Sequence, residues 1–183
     1  MHFVLGSSLA VSVLATSCTD PIHDGSVKAL GGETSGVPKG PLHRAGQACG
    51  VCHQESGPAS SVFTISGTIF AQPQSLIGVN NATVALTDSR GSVHTTLTNC
   101  VGNFFVRPEE WDPSFPILVR VSKNAFGPVD MRSQIGRETS CAICHVTNVP
   151  PDDPFGSVAH IALGIDEPKA SCDVDPDLTK VAP

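Results

Sequence analysis

The pentapeptide Cys49-Gly50-Val51-Cys52-His53 recurs as Cys141-Ala142-Ile143-Cys144-His145, and this repeat restricts the chain more than any other feature. Two thiols at this spacing can each form a thioether with one vinyl group of a haem, and the histidine directly after them is placed to coordinate the iron from the same side. Both stretches therefore read as attachment points for c-type haem. Cys49, Cys52, Cys141 and Cys144 are the expected anchors, with His53 and His145 as proximal iron ligands. The competing readings are a zinc site of four thiolates, which leaves both histidines without a role, and a redox dithiol. With only seven histidines in 183 residues, one after each Cys pair favours haem.

Seventeen Gly and 15 Pro argue for a loop-rich or β-rich fold, and no window carries a long helical period. A formal charge of −6 gives no support to nucleic-acid binding and leans weakly toward a basic partner. Of the seven cysteines, Cys18, Cys100 and Cys172 fall outside the motifs. Cys18 closes an apolar run from Phe3 to Ala15, of a length that suits a signal-peptide core and is short for a membrane span. Small residues before Cys18 resemble a bacterial lipobox, which implies lipidation at that cysteine. The match is imperfect, since Ala15 stands where leucine is usual and the leader lacks Lys and Arg. An ordinary cleaved signal and an uncleaved anchor are the alternatives, and all three imply export to the periplasm, the outer membrane or the cell surface. Disulfides persist there, so Cys100 and Cys172 are the natural pair, against the reading of two buried free thiols.

Residues 1–17 thus read as signal peptide and 18–41 as a flexible tether. Residues 42–60 hold the first motif, with a helical turn over Gln47 to Cys52. Between 61 and 124 the pattern alternates: Phe63, Ile65 and Ile69, then Ala82, Val84 and Leu86, then Val93, Thr95 and Leu97 after the turn Asp88 to Gly91, then Phe104 and Val106, then Ile117, Val119 and Val121. The expected fold is mainly β, a small antiparallel β-sandwich flanked by two loop or short-helix haem c-binding segments, the second over 125–165. Asn148 to Gly156 reads as a rigid loop and Val158 to Ile165 as a last short strand or turn. Residues 166–183 form an acidic tail. Its Asp173, Asp175 and Asp177 offer a weak calcium reading against a solvated tail. Asn81-Ala82-Thr83 reads as a turn entering a strand.

The stretch carrying Gly67-Thr68-Ile69, Ala82 through Asp88, Gly91, Thr98-Asn99 and Gly102-Asn103-Phe104 resembles the carboxypeptidase regulatory-like, transthyretin-like β-sandwich family. That resemblance implies a binding or spacer module without catalytic residues of its own. With the two bracketing motifs, the chain resembles a dihaem c-type cytochrome, which implies two covalent haems c and electron exchange with redox partner proteins or other cytochromes.

The sixth ligand on each iron decides what such a protein does: a second strong ligand leaves an electron carrier, whereas an open position binds peroxide, nitrite or a diatomic gas. His43, His160, His94 and, least of all, His23 are the candidates, with Met131 as the thioether alternative to a gap-filling side chain. His94 alternates with Val93 and Leu97 and is expected to point away from the core. Arg44 and Arg137 are candidates for haem propionates or plain surface charges. Phe104, Phe105, Phe115 and Trp111 are first of all core material. The expectation is an exported single-electron carrier and not an enzyme. The rivals are a peroxidase-like haem enzyme or sensor with one open iron, and a surface or carbohydrate-binding sandwich that carries haem. Self-assembly of protomers is an extension the sequence leaves open.

Overall fold

The computed structural model describes residues 20–33, 35–37, 39–124, 126–146, 158–166 and 172. Cys18, the signal segment, the loop from Asn148 to Gly156 and the acidic cluster Asp173, Asp175 and Asp177 lie outside the described residues. The fold is mainly β, with two antiparallel sheets. β1 (Ile65–Thr68) pairs with β4 (Asn103–Val106), and β2 (Thr83–Thr87), β3 (Val93–Leu97), β5 (Leu118–Lys123) and β6 (Phe126–Asp130) form a second sheet in the order β3-β2-β5-β6. Ile65, Val84, Leu86, Phe104, Val106, Ile117, Val119 and Val121 meet between the sheets as one buried cluster. In β2 and β5 every second residue points inward, the period-2 burial that an alternating sequence dictates.

The β2-β3 hairpin forms at the expected turn. Asp88 organises it by accepting from the amides of Arg90 (2.9 Å) and Ser92 (2.8 Å), and also from Ser114 (3.1 Å) across the loop that precedes β5. The facing of β3 is the reverse of the expected one. His94 lies opposite Leu86 and Thr96 opposite Val84, so these polar side chains take the inner, half-buried side, while Val93 and Leu97 are exposed. The reason is a contact from elsewhere in the chain. Trp111 packs over this edge of the sheet, stacking on His94 with ring centroids 5.6 Å apart and placing its indole nitrogen 3.3 Å from Ser92 Oγ, which an imidazole tolerates at a half-wet margin.

Two further elements depart from the sequence reading. Within the expected tether, Pro21–Ala29 forms a helix, α1. Asp20 caps it, its carboxylate accepting from the amides of Ile22 and His23 (both 3.1 Å), and proline at the first position needs no donor there. Residues 126–140, expected to lead to the second motif, extend the sandwich instead: β6 pairs with β5, and Ile135 pairs with Ile117. β1 is buried along its whole length. One face meets the core; the other carries Ser66 and Thr68 toward the segments that hold the Cys motifs.

The expected disulfide Cys100–Cys172 is present, with Cα atoms 5.5 Å apart. It ties residue 172 to the turn between β3 and β4. Among the described residues no helix is long and apolar enough to cross a membrane.

Candidate functional site

The two repeats fold alike. Cys49–Val51 and Cys141–Ile143 each make a single 3-10 turn. In the first, the amides of Cys52 and His53 both return to the Cys49 carbonyl (3.0 and 2.9 Å); in the second, those of Cys144 and His145 return to Cys141 (3.2 and 2.9 Å). This winding turns both thiols and the following imidazole of each motif around one short axis.

Both turns pack on β1. Ser66 pairs with Ser140, and its amide and hydroxyl both donate to the Thr139 carbonyl (2.8 and 3.1 Å), which brings the second motif alongside the strand. Two glycines permit the closeness. A Cβ on Gly50 would lie 2.5 Å from Thr139 Oγ1, and one on Gly67 would lie 2.8 Å from Cys141 Sγ and 2.9 Å from Phe104 Cε1. The first motif therefore needs glycine where the second has Ala142. The thiols feel this enclosure: burial pushes Cys49 up, against the lowering effect of the Ser66 hydroxyl. Cys141 is pushed up to about 12, by burial first and by neighbouring Cys49 second.

The histidines are held differently. His53 Nδ1 lies 2.9 Å from the Ser61 carbonyl and 3.0 Å from its hydroxyl, and His145 Nδ1 lies 2.9 Å from the Ala159 carbonyl. A carbonyl only accepts, so Nδ1 carries a proton in each ring, and in the neutral tautomer Nε2 is the nitrogen with the free lone pair. Burial holds His53 below the ordinary histidine range; the Ser61 bond opposes this, and nearby His43 lowers it further. Phe63 stacks on His53 (centroids 4.0 Å, planes 8° apart) and Phe105 on Phe63 (4.8 Å). Phe63 and Ser61 are supports that the alternating pattern could not distinguish from ordinary strand residues.

His43 comes to the first motif, its ring centroid 6.0 Å from that of His53. Its Nδ1 is buried, 3.5 Å from Glu33 Oε2, and finds no hydrogen bond among the described residues. His160 is buried and stacks on Phe70 (4.0 Å, 13°), with Nδ1 3.3 Å from the Ser75 carbonyl and Nε2 3.9 Å from where a Cβ on Gly46 would stand. It thus packs beside the segment that leads into the first motif, although its neighbour Ala159 holds His145. His94 belongs to β3 with Trp111, and Met131 is partly buried against the sandwich core. His23, in α1, donates from Nε2 to the Val51 carbonyl (2.7 Å) and so braces the first motif. Arg44 pairs with Glu33 (3.2 Å) and binds the carbonyls of Leu30 and Gly31 and the Gln47 side chain, which spends its guanidinium on the loop; Arg137 is exposed.

No family model, no curated protein and no solved structure matches this chain. The site therefore has to be interpreted from its own chemistry. Among the described residues no group of three or more His, Cys, Asp or Glu side chains is gathered to hold a metal ion. A porphyrin, in general, demands no such gathering, because it carries its own four equatorial nitrogens.

Proposed function

We propose that this chain is an exported dihaem c-type cytochrome that passes single electrons between redox partners. One observation carries the reading. In two turns of matching geometry, the histidine after the second cysteine donates Nδ1–H to a main-chain carbonyl, which would leave Nε2 available to a metal. Fixing tautomer and ring direction through the far nitrogen is what a metal-bound histidine requires, and a zinc site of four thiolates has no use for it.

The residues fit the group. Cys49 and Cys52 would anchor one haem and Cys141 and Cys144 the other, with His53 and His145 as proximal ligands. His43 would be the sixth ligand of the first iron. The His43 and His53 rings stand together, with centroids 6.0 Å apart, so both imidazoles would be at hand for one iron. Haem supplies one-electron chemistry, and its potential responds to axial ligand and burial. The chain would contribute the imidazoles of His53, His145 and His43, with apolar cover from Phe63 on His53. Its β-sandwich would serve as the spacer that the transthyretin-like resemblance implies.

Export belongs to the same reading. The Cys100–Cys172 disulfide fits an oxidising compartment, and Cys18 would provide the lipid anchor. The placement of His160 with Phe70 and Gly46 favours a second reading, a haem enzyme or sensor whose second iron is open. Carbon monoxide added to the reduced, matured protein separates the two. No binding supports the carrier, and one carbon monoxide per chain supports the open site. In the carrier, replacing His43 by alanine adds binding at one haem; unchanged binding removes His43 from the assignment.

A further inference from the structure

The segment that carries His43 has no regular structure of its own. Residues 41–46 are consecutive turns, with Arg44 at a φ of 53°. What holds the segment is the sandwich. Asn103, the first residue of β4 and 7% exposed, donates through Nδ2 to the main-chain carbonyls of His43 (3.0 Å) and Pro41 (3.2 Å). Its Oδ1 accepts from the Thr68 hydroxyl of β1 (2.8 Å), and Thr68 Oγ1 in turn accepts from the Gly46 amide (2.8 Å). Asn99, in the turn before β4, also donates to the Pro41 carbonyl (2.8 Å). The backbone on both sides of His43 is thereby tied to two buried, mutually bonded side chains from the paired strands β1 and β4.

The chemistry at position 103 is specific. It needs two donors toward carbonyls and one acceptor toward a hydroxyl, which a neutral amide supplies in one orientation. A carboxylate of the same shape would set negative oxygen against the carbonyls of Pro41 and His43. Because Asn103 and Thr68 are buried and their partners part-buried, water replaces the lost bonds poorly.

We propose that Asn103, with Thr68, is a positioning residue pair that holds His43 on the iron of the first haem, so that the sandwich decides whether that iron is closed to external ligands. This rests on the dihaem reading above. The test uses the full chain, matured with haem, and counts haems and bound carbon monoxide per chain in the reduced state for Asn103→Asp, Thr68→Val and Thr68→Ser. The expected result is that Asn103→Asp retains two haems and binds one more carbon monoxide than the unaltered protein, with a gain of high-spin character. Thr68→Val moves in the same direction, and Thr68→Ser, which restores the hydroxyl, behaves as the unaltered chain. Mere loosening of the sandwich lowers the melting temperature without opening one iron in preference to the other. Two haems with unaltered carbon monoxide stoichiometry in both Asn103→Asp and Thr68→Val would overturn the inference and leave the dihaem reading intact. A chain without haem overturns both. Should Asn103→Asp fail to accumulate, Thr68→Val and its serine counterpart decide the matter by the same count.

Discussion

Adding one methyl group at Gly67 tests whether β1 and the second Cys motif are as closely opposed as the fold requires. In Gly67→Ala the new carbon falls 2.8 Å from Cys141 Sγ, 2.9 Å from Phe104 Cε1 and 3.0 Å from Cys141 Cβ. Non-bonded carbon contacts normally settle at about 3.5–4 Å, so all three are short by roughly 0.5–1 Å. On the proposed reading a thioether to haem would leave the sulfur little freedom to swing aside, and the Phe104 ring is 2% exposed within the core. Relief therefore requires the Cys141 turn to back away or the core to open. Overpacking of this kind costs about 1–3 kcal/mol. At about 2–4 °C per kcal/mol for a chain of this size, melting should fall by roughly 2–12 °C. Gly127, in β6, is the control, since a Cβ there meets nothing within 4 Å, and Gly127→Ala should stay within about 0.5 kcal/mol of the parent. The assay is thermal unfolding followed by circular dichroism, with haem content measured on the same samples. If Gly67→Ala melts with Gly127→Ala and keeps full haem at the second motif, the close packing of Cys141 on β1 is wrong.

Three other outcomes follow from the fold. Replacing Cys100 and Cys172 with serine opens a closure across 72 residues of sequence; chain entropy sets the loss at about 4 kcal/mol or less, to be read from denaturant midpoints. The Ser114 amide bond chiefly, with those of Ser92 and Arg90, holds the Asp88 pKa below the ordinary carboxylate value against the opposing effect of burial. Its stabilising contribution is thus complete above the unfolded-state value near 4 and disappears as pH falls through the lower folded-state value, so melting temperature should drop below about pH 4, and less steeply in Asp88→Asn. Val93→Thr and Leu97→Thr, on the exposed side of β3, should each change stability by less than about 0.5 kcal/mol, whereas Val84→Ala on the buried side of β2 should cost about 2 kcal/mol or more in the same melt.

How much of this could be read in advance depended on whether the signal was local. The β2-β3 hairpin was legible because Asp88 to Gly91 is a turn signal flanked by alternating residues, and the core side chains Val84, Leu86, Val119 and Val121 lie where alternation puts them. The same rule misplaced β3, since Val93 and Leu97 are its apolar residues and Trp111, distant in sequence, covers the other side. β6 escaped notice because Gly127 and Pro128 weaken a strand pattern; an edge position tolerates both. Helix α1 has no buried residue to give it a helical period; Asp20 followed by Pro21 was the one signal available. At the candidate site, the motif spacing and the disulfide partners were legible. The carbonyls of Ser61 and Ala159, the Phe63 and Phe70 stacks, and the Asn103–Thr68 clamp were not, because each is a contact between elements that only the folded chain brings together.

Covalent haem stoichiometry is the decisive quantity. Protein matured in a host competent for haem attachment should show two haems per chain by pyridine haemochrome and an intact mass increased by two haem groups that survives denaturation. Replacing Cys141 and Cys144 together should reduce the count to one. Colourless protein, or protein that carries zinc in place of iron, would contradict the reading of both motifs.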